Sequence, residues 1–250
     1  MMSMIAIENL TKRYDRIVAV DNLSLNIPEG EIFGFIGPNG AGKTTTIRMM
    51  GGLLAPTAGW VSIDGLRMDE APVQVKQRLG FIPDRPYLYE KLTGMEYMAF
   101  SADIYGVGRE LFQERAEALL RRFALFNWRS ELIEAYSHGM KQRLIIAAAL
   151  LHDPKVIIVD EPMVGLDPAA VKMVKDLFRS LAGTGKTIFL STHTLSVAEN
   201  LCDRIGVIHR GAIIALGTVA ELKRAADLSE GDLEEVFIRL TESDEPGEAP

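Results

Sequence analysis

The segment Gly37-Pro38-Asn39-Gly40-Ala41-Gly42-Lys43-Thr44 constrains this chain more than any other, because of what stands on either side of it. Residues 31–36 (Glu-Ile-Phe-Gly-Phe-Ile) read as a buried strand, and residues 45–50 (Thr-Thr-Ile-Arg-Met-Met) read as a helix. A Gly-rich turn in that setting brings backbone N–H groups to the positive end of a helix, which is an anion site. Lys43 would reach the outer phosphates of a nucleotide, and the Thr44 hydroxyl would help to hold Mg²⁺. The other reading, a turn with no ligand, is disfavoured by the strand before it and the helix after it. Residues Gly37, Pro38, Asn39, Gly40, Ala41, Gly42, Lys43, Thr44 and Thr45 are therefore expected to bind a nucleoside triphosphate.

The remaining organisation alternates between two periods. Ile5 and Ile7, then Leu23, Leu25 and Ile27, alternate with polar residues as half-exposed strands do. Val61-Ser62-Ile63 before Asp64-Gly65 predicts a strand and tight turn, and Gly80-Phe81-Ile82-Pro83 a short strand. From about Leu88 to Leu151 the spacing becomes helical; over 110–126 it predicts an amphipathic helix with Leu111, Ala118, Leu119, Arg122 and Phe123 on one face. The runs Val156-Ile157-Ile158-Val159 and Thr187-Ile188-Phe189-Leu190 have the continuous apolar character of buried parallel strands. Helical stretches at 168–181 and 195–201 lie between and after them, which predicts a parallel sheet covered by helices on both faces. Two further helices are expected at 219–226 and 233–240, then a disordered acidic tail at 241–250.

Composition narrows the class. With 250 residues, 48% apolar, the chain has material for one large core, and its single cysteine, Cys202, excludes an internal disulfide. A net charge of −7 argues against a nucleic-acid surface. The N-terminus lacks the basic flank of a signal peptide, and the longest apolar run, 144–151, is far shorter than the ~20 residues a bilayer needs.

Asp160-Glu161 closes an apolar strand, which places Asp160 at the carboxyl edge of the sheet beside the phosphate loop, where it can hold Mg²⁺. Glu161 then stands where a general base could polarise water. An acidic pair that merely begins a turn is the alternative, and the phosphate loop in the same chain argues against it.

With these motifs in place, the chain resembles the nucleotide-binding subunit of an ATP-binding-cassette (ABC) transporter, and in particular the single-domain multidrug and exporter-type ATPases. The resemblance covers roughly residues 4–240. The family's signature segment, usually LSGGQ, is matched by Tyr136-Ser137-His138-Gly139-Met140, with His138 and Met140 in place of the first Gly and the Gln. It implies an α/β fold: a phosphate-loop NTPase (RecA-like) core (1–85 and 155–225) with an N-terminal antiparallel β sub-domain, an inserted helical sub-domain (86–154) and C-terminal helices (219–240). It implies ATP and Mg²⁺ as ligands, with Ser137 and Gly139 contacting nucleotide, Tyr14 stacking on adenine and His193 contacting the γ-phosphate. Asp84 stands where the family usually has Gln and would reach the metal and the attacking water. Thr44, Asp160 and Asp84 are then the metal residues, and Glu161, His193 and Asp84 the catalytic ones. Gly165-Leu166-Asp167 resembles the loop that communicates across a dimer, with Val164 in place of its usual Ser.

The implied partners are a second cassette, identical or paired, and an integral membrane permease, with no nucleic acid. The implied location is the cytoplasmic face of the cell membrane. The aromatic and Met residues of 86–98 suit a docking groove for a partner helix, or else fill the core of the helical sub-domain. Two other classes stay open: a soluble ABC ATPase acting on nucleic acid or ribosomes, and a non-catalytic nucleotide switch.

Overall fold

The computed structural model describes residues 3–84, 87–228 and 232–242. Strands β1 (Ser3–Tyr14) and β2 (Ile17–Pro28) form an antiparallel hairpin that buries the alternating Ile5, Ile7, Leu23, Leu25 and Ile27. Strand β3 (Ile32–Ile36), with every residue buried, leads through the phosphate loop into α1 (Lys43–Met50). Strand β4 (Ala58–Ile63) turns at Asp64 and Gly65, both at positive φ as tight hairpins require, into β5 (Leu66–Arg67). These strands make an antiparallel sheet in the order β2-β1-β4-β5.

After α2 (Pro72–Gln77) and β6 (Leu79–Ile82), three helices follow: α3 (Gly94–Tyr105), α4 (Arg109–Arg122) and α5 (His138–Leu150). Thr93 and Glu96 form a capping box at the start of α3, a device worth about 1 kcal/mol. The chain then alternates through β7 (Val156–Asp160), α6 (Pro168–Ala182), β8 (Thr187–Thr192) and α7 (Leu195–Leu201). It ends in β9 (Arg204–His209), β10 (Ala212–Gly217), α8 (Val219–Ala225) and α9 (Leu233–Glu242). The second sheet runs β10-β9-β3-β8-β7-β6, parallel except for β10.

The parallel sheet is a partition between cores, and its period of two sorts the side chains. Ile157 and Val159 of β7 join the helices α3 to α6, whereas Val156 and Ile158 join α1 and the antiparallel sheet. Phe33, Phe35 and Phe189 are fully buried on the second side, their rings 5.7 and 5.3 Å apart around Phe189. Each such side chain contributes about 1.5–3 kcal/mol when buried. A third core unites β9 with α7, α8 and α9.

Several expectations need correcting. The helix expected over 110–126 stops at Arg122, because Ala124 takes the left-handed conformation at φ 55°. Its buried stripe is Phe112, Ala116, Leu120 and Phe123, so Leu111, Ala118 and Arg122 face solvent. Strands β9 and β10 were not foreseen. Thr241 and Glu242 extend α9 rather than beginning a tail, and 243–250 lie outside the described residues, as does Pro86.

Candidate active site

Register assembles the site. Parallel pairing sets Ile36 beside Thr192 and Asp160 beside Ser191, so three strand ends and the loops after them meet at one carboxyl edge. The cleft there is lined by Asn39, Gly40, Gly42, Lys43, Thr44 and Thr45 of the phosphate loop and α1, with Asp84, Asp160, Glu161 and His193 opposite. Ligands of open α/β sheets bind at this edge.

The loop is held by close backbone approach. Gly42 has a φ of 108°, and an added Cβ would stand 2.5 Å from the Ala19 carbonyl oxygen. A Cβ on Gly37 would stand 2.3 Å from the Ile208 carbonyl oxygen. Ala41 N–H donates to Pro38 O. Lys43 is buried; its ammonium donates to Gly37 O (2.5 Å) and Pro38 O (3.0 Å), so the lysine folds back on its own loop. Burial lowers its pKa, and the charges of Glu161 and Asp160 oppose that shift.

Asp160 is buried at the end of β7, where it accepts from the Ser191 hydroxyl and, at 3.4 Å, from Thr44 Oγ1. Burial pushes its carboxyl pKa up, the Ser191 hydrogen bond opposes this, and the charges of Asp84 and Glu161 add to it. A hydroxyl and a carboxylate, both hard oxygen donors, suit Mg²⁺, which takes few protein ligands and completes its shell with phosphate and water. Among the described residues no cluster of three or more His, Cys, Asp or Glu could hold a metal.

Glu161 adopts φ 49°, a left-handed conformation uncommon for a non-glycine residue. Its carboxylate accepts from Thr192 Oγ1 (3.1 Å), His193 N–H (2.9 Å) and His193 Nδ1 (2.7 Å). When Nδ1 holds the proton of that bond, Nε2 is left for other contacts.

The other anticipated residues divide between the cleft and its surroundings. Ser137 caps α5 by accepting from Met140 N–H (3.3 Å), and neither Ser137 nor Gly139 lines this chain's cleft. His138 does, together with Val164. Tyr14 lies at the end of β1 beneath the Lys12 ammonium, 46% exposed and outside the cleft lining. Asp167 caps α6 through Ala170 N–H (2.8 Å). Sequence reading missed Ala19, which lines the cleft, and Ser191 and Thr192, which hold the two carboxylates. The signal for the last pair was present, since both directly precede His193 at a strand end.

The family model described as ABC transporter matches residues 20–164. The chain is 35% identical over 243 residues to the ABC-type transporter ATP-binding protein EcsA of Bacillus subtilis (strain 168), covering 97% of this chain and 98% of that one. It is 41% identical over 215 residues to the bacitracin transport ATP-binding protein BcrA of Bacillus licheniformis, covering 86% and 69%. A solved ATP-binding subunit of an ABC transporter superposes with a TM-score of 0.90 at 34% identity, covering 95% and 99%. A bacterial ABC transporter cassette solved as a dimer gives 0.79 at 29%, covering 86% and 98%. The chain belongs to the ABC transporter family, as an ATP-binding subunit with ATPase activity.

Proposed function

We propose that Glu161 is the general base of ATP hydrolysis and that Lys43, Thr44 and Asp160 hold the Mg²⁺-bound triphosphate. The observation that carries this reading is their convergence on one cleft at the carboxyl edge of the sheet. When bound, Mg²⁺ supplies charge neutralisation on the phosphates. The phosphate-loop N–H groups and Lys43 orient the phosphates, and Lys43 exchanges its loop carbonyls for phosphate oxygens. Glu161 accepts a proton from the attacking water. His193, bonded to Glu161, fixes that carboxylate and presents a ring nitrogen to the γ-phosphate. Asp84, two residues after β6, would help to hold the metal or the attacking water. Ser137 and Gly139 would serve the nucleotide of a second, head-to-tail subunit, since they lie outside their own cleft. Tyr14 would stack on adenine beyond the cleft proper.

Glu161→Gln keeps the shape and, through its one amide oxygen, can still accept from His193, but removes the base. Turnover should fall by about 10²–10⁴-fold while ATP binding persists, measured by steady-state hydrolysis and ligand-induced thermal shift. Undiminished hydrolysis would refute the assignment.

The subunit is further proposed to act on a separate integral membrane permease at the cytoplasmic face, in the direction of export. The direction rests on the resemblance of the motifs to exporter-type subunits. Among the described residues no helix is long and apolar enough to cross a membrane, so this scheme assigns the membrane-spanning part to the permease. The docking surface proposed is the aromatic patch of the helical region. Tyr87 is 82% and Tyr89 62% exposed, the latter in edge contact with Phe100. Met98 is fully buried and Leu92, Met95 and Tyr97 pack on the core, so the segment divides between surface and interior.

A further inference from the structure

One buried side chain of α5 has no partner. Gln142 is 1% exposed, and neither its Oε1 nor its Nε2 finds a hydrogen-bond partner among the described residues. A primary amide carries two N–H donors and an acceptor oxygen. Leaving all of them unpaired away from water is rare, because burial strips hydration without replacing it.

Its position explains why such a group is retained. His138 and Gly139, in the first turn of α5, both meet the loop that follows Glu161. A Cβ on Gly165 would stand 2.5 Å from His138 Nδ1, and one on Gly139 would stand 3.6 Å from Gly165 O and 3.8 Å from Leu166 Cδ2. Gln142 is four residues on from His138 and three from Gly139, so it is next along the same helical stripe. That stripe continues through Ile145 to Ala149, whose carbonyl oxygen would lie 2.8 Å from a Cβ on Gly80 in β6. The amide is therefore set between the loop bearing Glu161 and the strand leading to Asp84. Met163 and Leu166 of the loop pack into the same apolar cluster as Leu144, Ile145 and Ile146 and offer no side-chain hydrogen bond.

We propose that Gln142 is a positioning residue for Glu161. Its amide, unpaired among the described residues, bonds the backbone of loop 161–166 when nucleotide draws that loop against the start of α5. An unpaired amide raises the free energy of the arrangement that leaves it so, and pairing it favours the arrangement competent for hydrolysis. Gln142 touches no nucleotide in this scheme; it acts through the loop. The proposal rests on the assignment of Glu161 as the base.

The test uses the purified subunit carrying Gln142→Met, which keeps length and apolar bulk but removes the amide, with Gln142→Leu as a second variant. The nucleotide-free Tm should rise by about 2–4 °C for a chain of this size. At the same time kcat should fall about tenfold while KM for ATP stays within about twofold, a split that marks loss of an interaction made only during turnover. A role in packing alone would lower Tm and leave that split absent. If both variants lose stability or fail to fold, the amide is already satisfied and the proposal is wrong. If Tm rises and kcat is unchanged, the amide takes no part in turnover and the proposal is equally wrong. Full activity in Glu161→Gln would instead remove the premise, so the two failures are distinguishable.

Discussion

Gly42 concentrates what a single position can decide. Its φ of 108° is closed to side-chain-bearing residues without strain, and the Ala19 carbonyl oxygen occupies the space a Cβ would need. Gly42→Ala must therefore push β2 away or flatten the loop. A loss of more than about 1 kcal/mol in stability is expected. The Tm gain expected of wild type on adding Mg²⁺-ATP should be absent in this variant, which a thermal melt with and without nucleotide checks. A variant that keeps the full shift would show that the loop tolerates the displacement. The need for glycine was legible in the sequence from the motif, but the reason was not. Ala19 is 23 positions upstream, and nothing in its own neighbourhood marks it as the wall of a nucleotide cleft. The same holds for Ser191, whose hydroxyl holds Asp160 across 31 residues of chain.

At the scale of elements, His152 shows how a helix is tied to the sheet it leaves. It follows α5 and stacks on Tyr105 at the end of α3, ring centroids 3.7 Å apart and planes at 4°. Its Nε2 meets Leu79 O at 3.2 Å, and its Nδ1 is buried without a partner among the described residues. Burial lowers its pKa from 6.5 to about 4, with the Leu79 hydrogen bond and Asp153 opposing that shift and Lys186 and Arg115 adding to it. The sign follows directly. Below pH 6.5 the unfolded chain takes up a proton that the folded chain refuses until about pH 4, so this residue's contribution is full above 6.5 and declines as pH falls through that window. His152→Phe keeps a ring against Tyr105 and removes the proton. Its stability should fall less than that of wild type between pH 6.5 and 4 in denaturant titrations; parallel pH profiles would show that His152 does not titrate as described.

Element legibility was uneven for a physical reason. The strands β3, β7 and β8 were evident because both of their faces are buried, which demands unbroken apolar runs. Helix α4 is mostly solvent-facing, so its weak apolar stripe allowed a frame error of one residue: Phe112 rather than Leu111 points inward. Strands β9 and β10 were missed although β9 buries most of its residues. The run Ile205-Gly206-Val207-Ile208 is short, and Gly206 interrupts it because the Phe33 ring lies 2.9 Å from where its Cβ would be.

At the scale of the molecule, the question is how the cleft communicates with a partner. Exposed Tyr87 and Tyr89, the latter in edge contact with Phe100, stand on the helical region, which shares one core with β7 through Ile157 and Val159. A double variant, Tyr87→Ala with Tyr89→Ala, should leave the hydrolysis of the isolated subunit within about twofold, since both are surface positions outside the cleft. Stimulation by the purified permease should be lost; stimulation that survives would remove this surface from the docking scheme. What the sequence by itself determined is the chemistry within short reach along the chain. That includes the phosphate loop between strand and helix, the carboxylate pair at a strand end, the histidine after an apolar run, and the alternation that dictates a covered parallel sheet. Those features are written in periods of two and 3.6 residues and in turn chemistry. Only the tertiary structure decided which strand ends lie together, that Thr192 and His193 grip Glu161, and that His138 rather than Ser137 or Gly139 borders the cleft of its own chain. Such contacts join residues tens to hundreds of positions apart. They follow from sheet register and close packing, which no local stretch of sequence encodes.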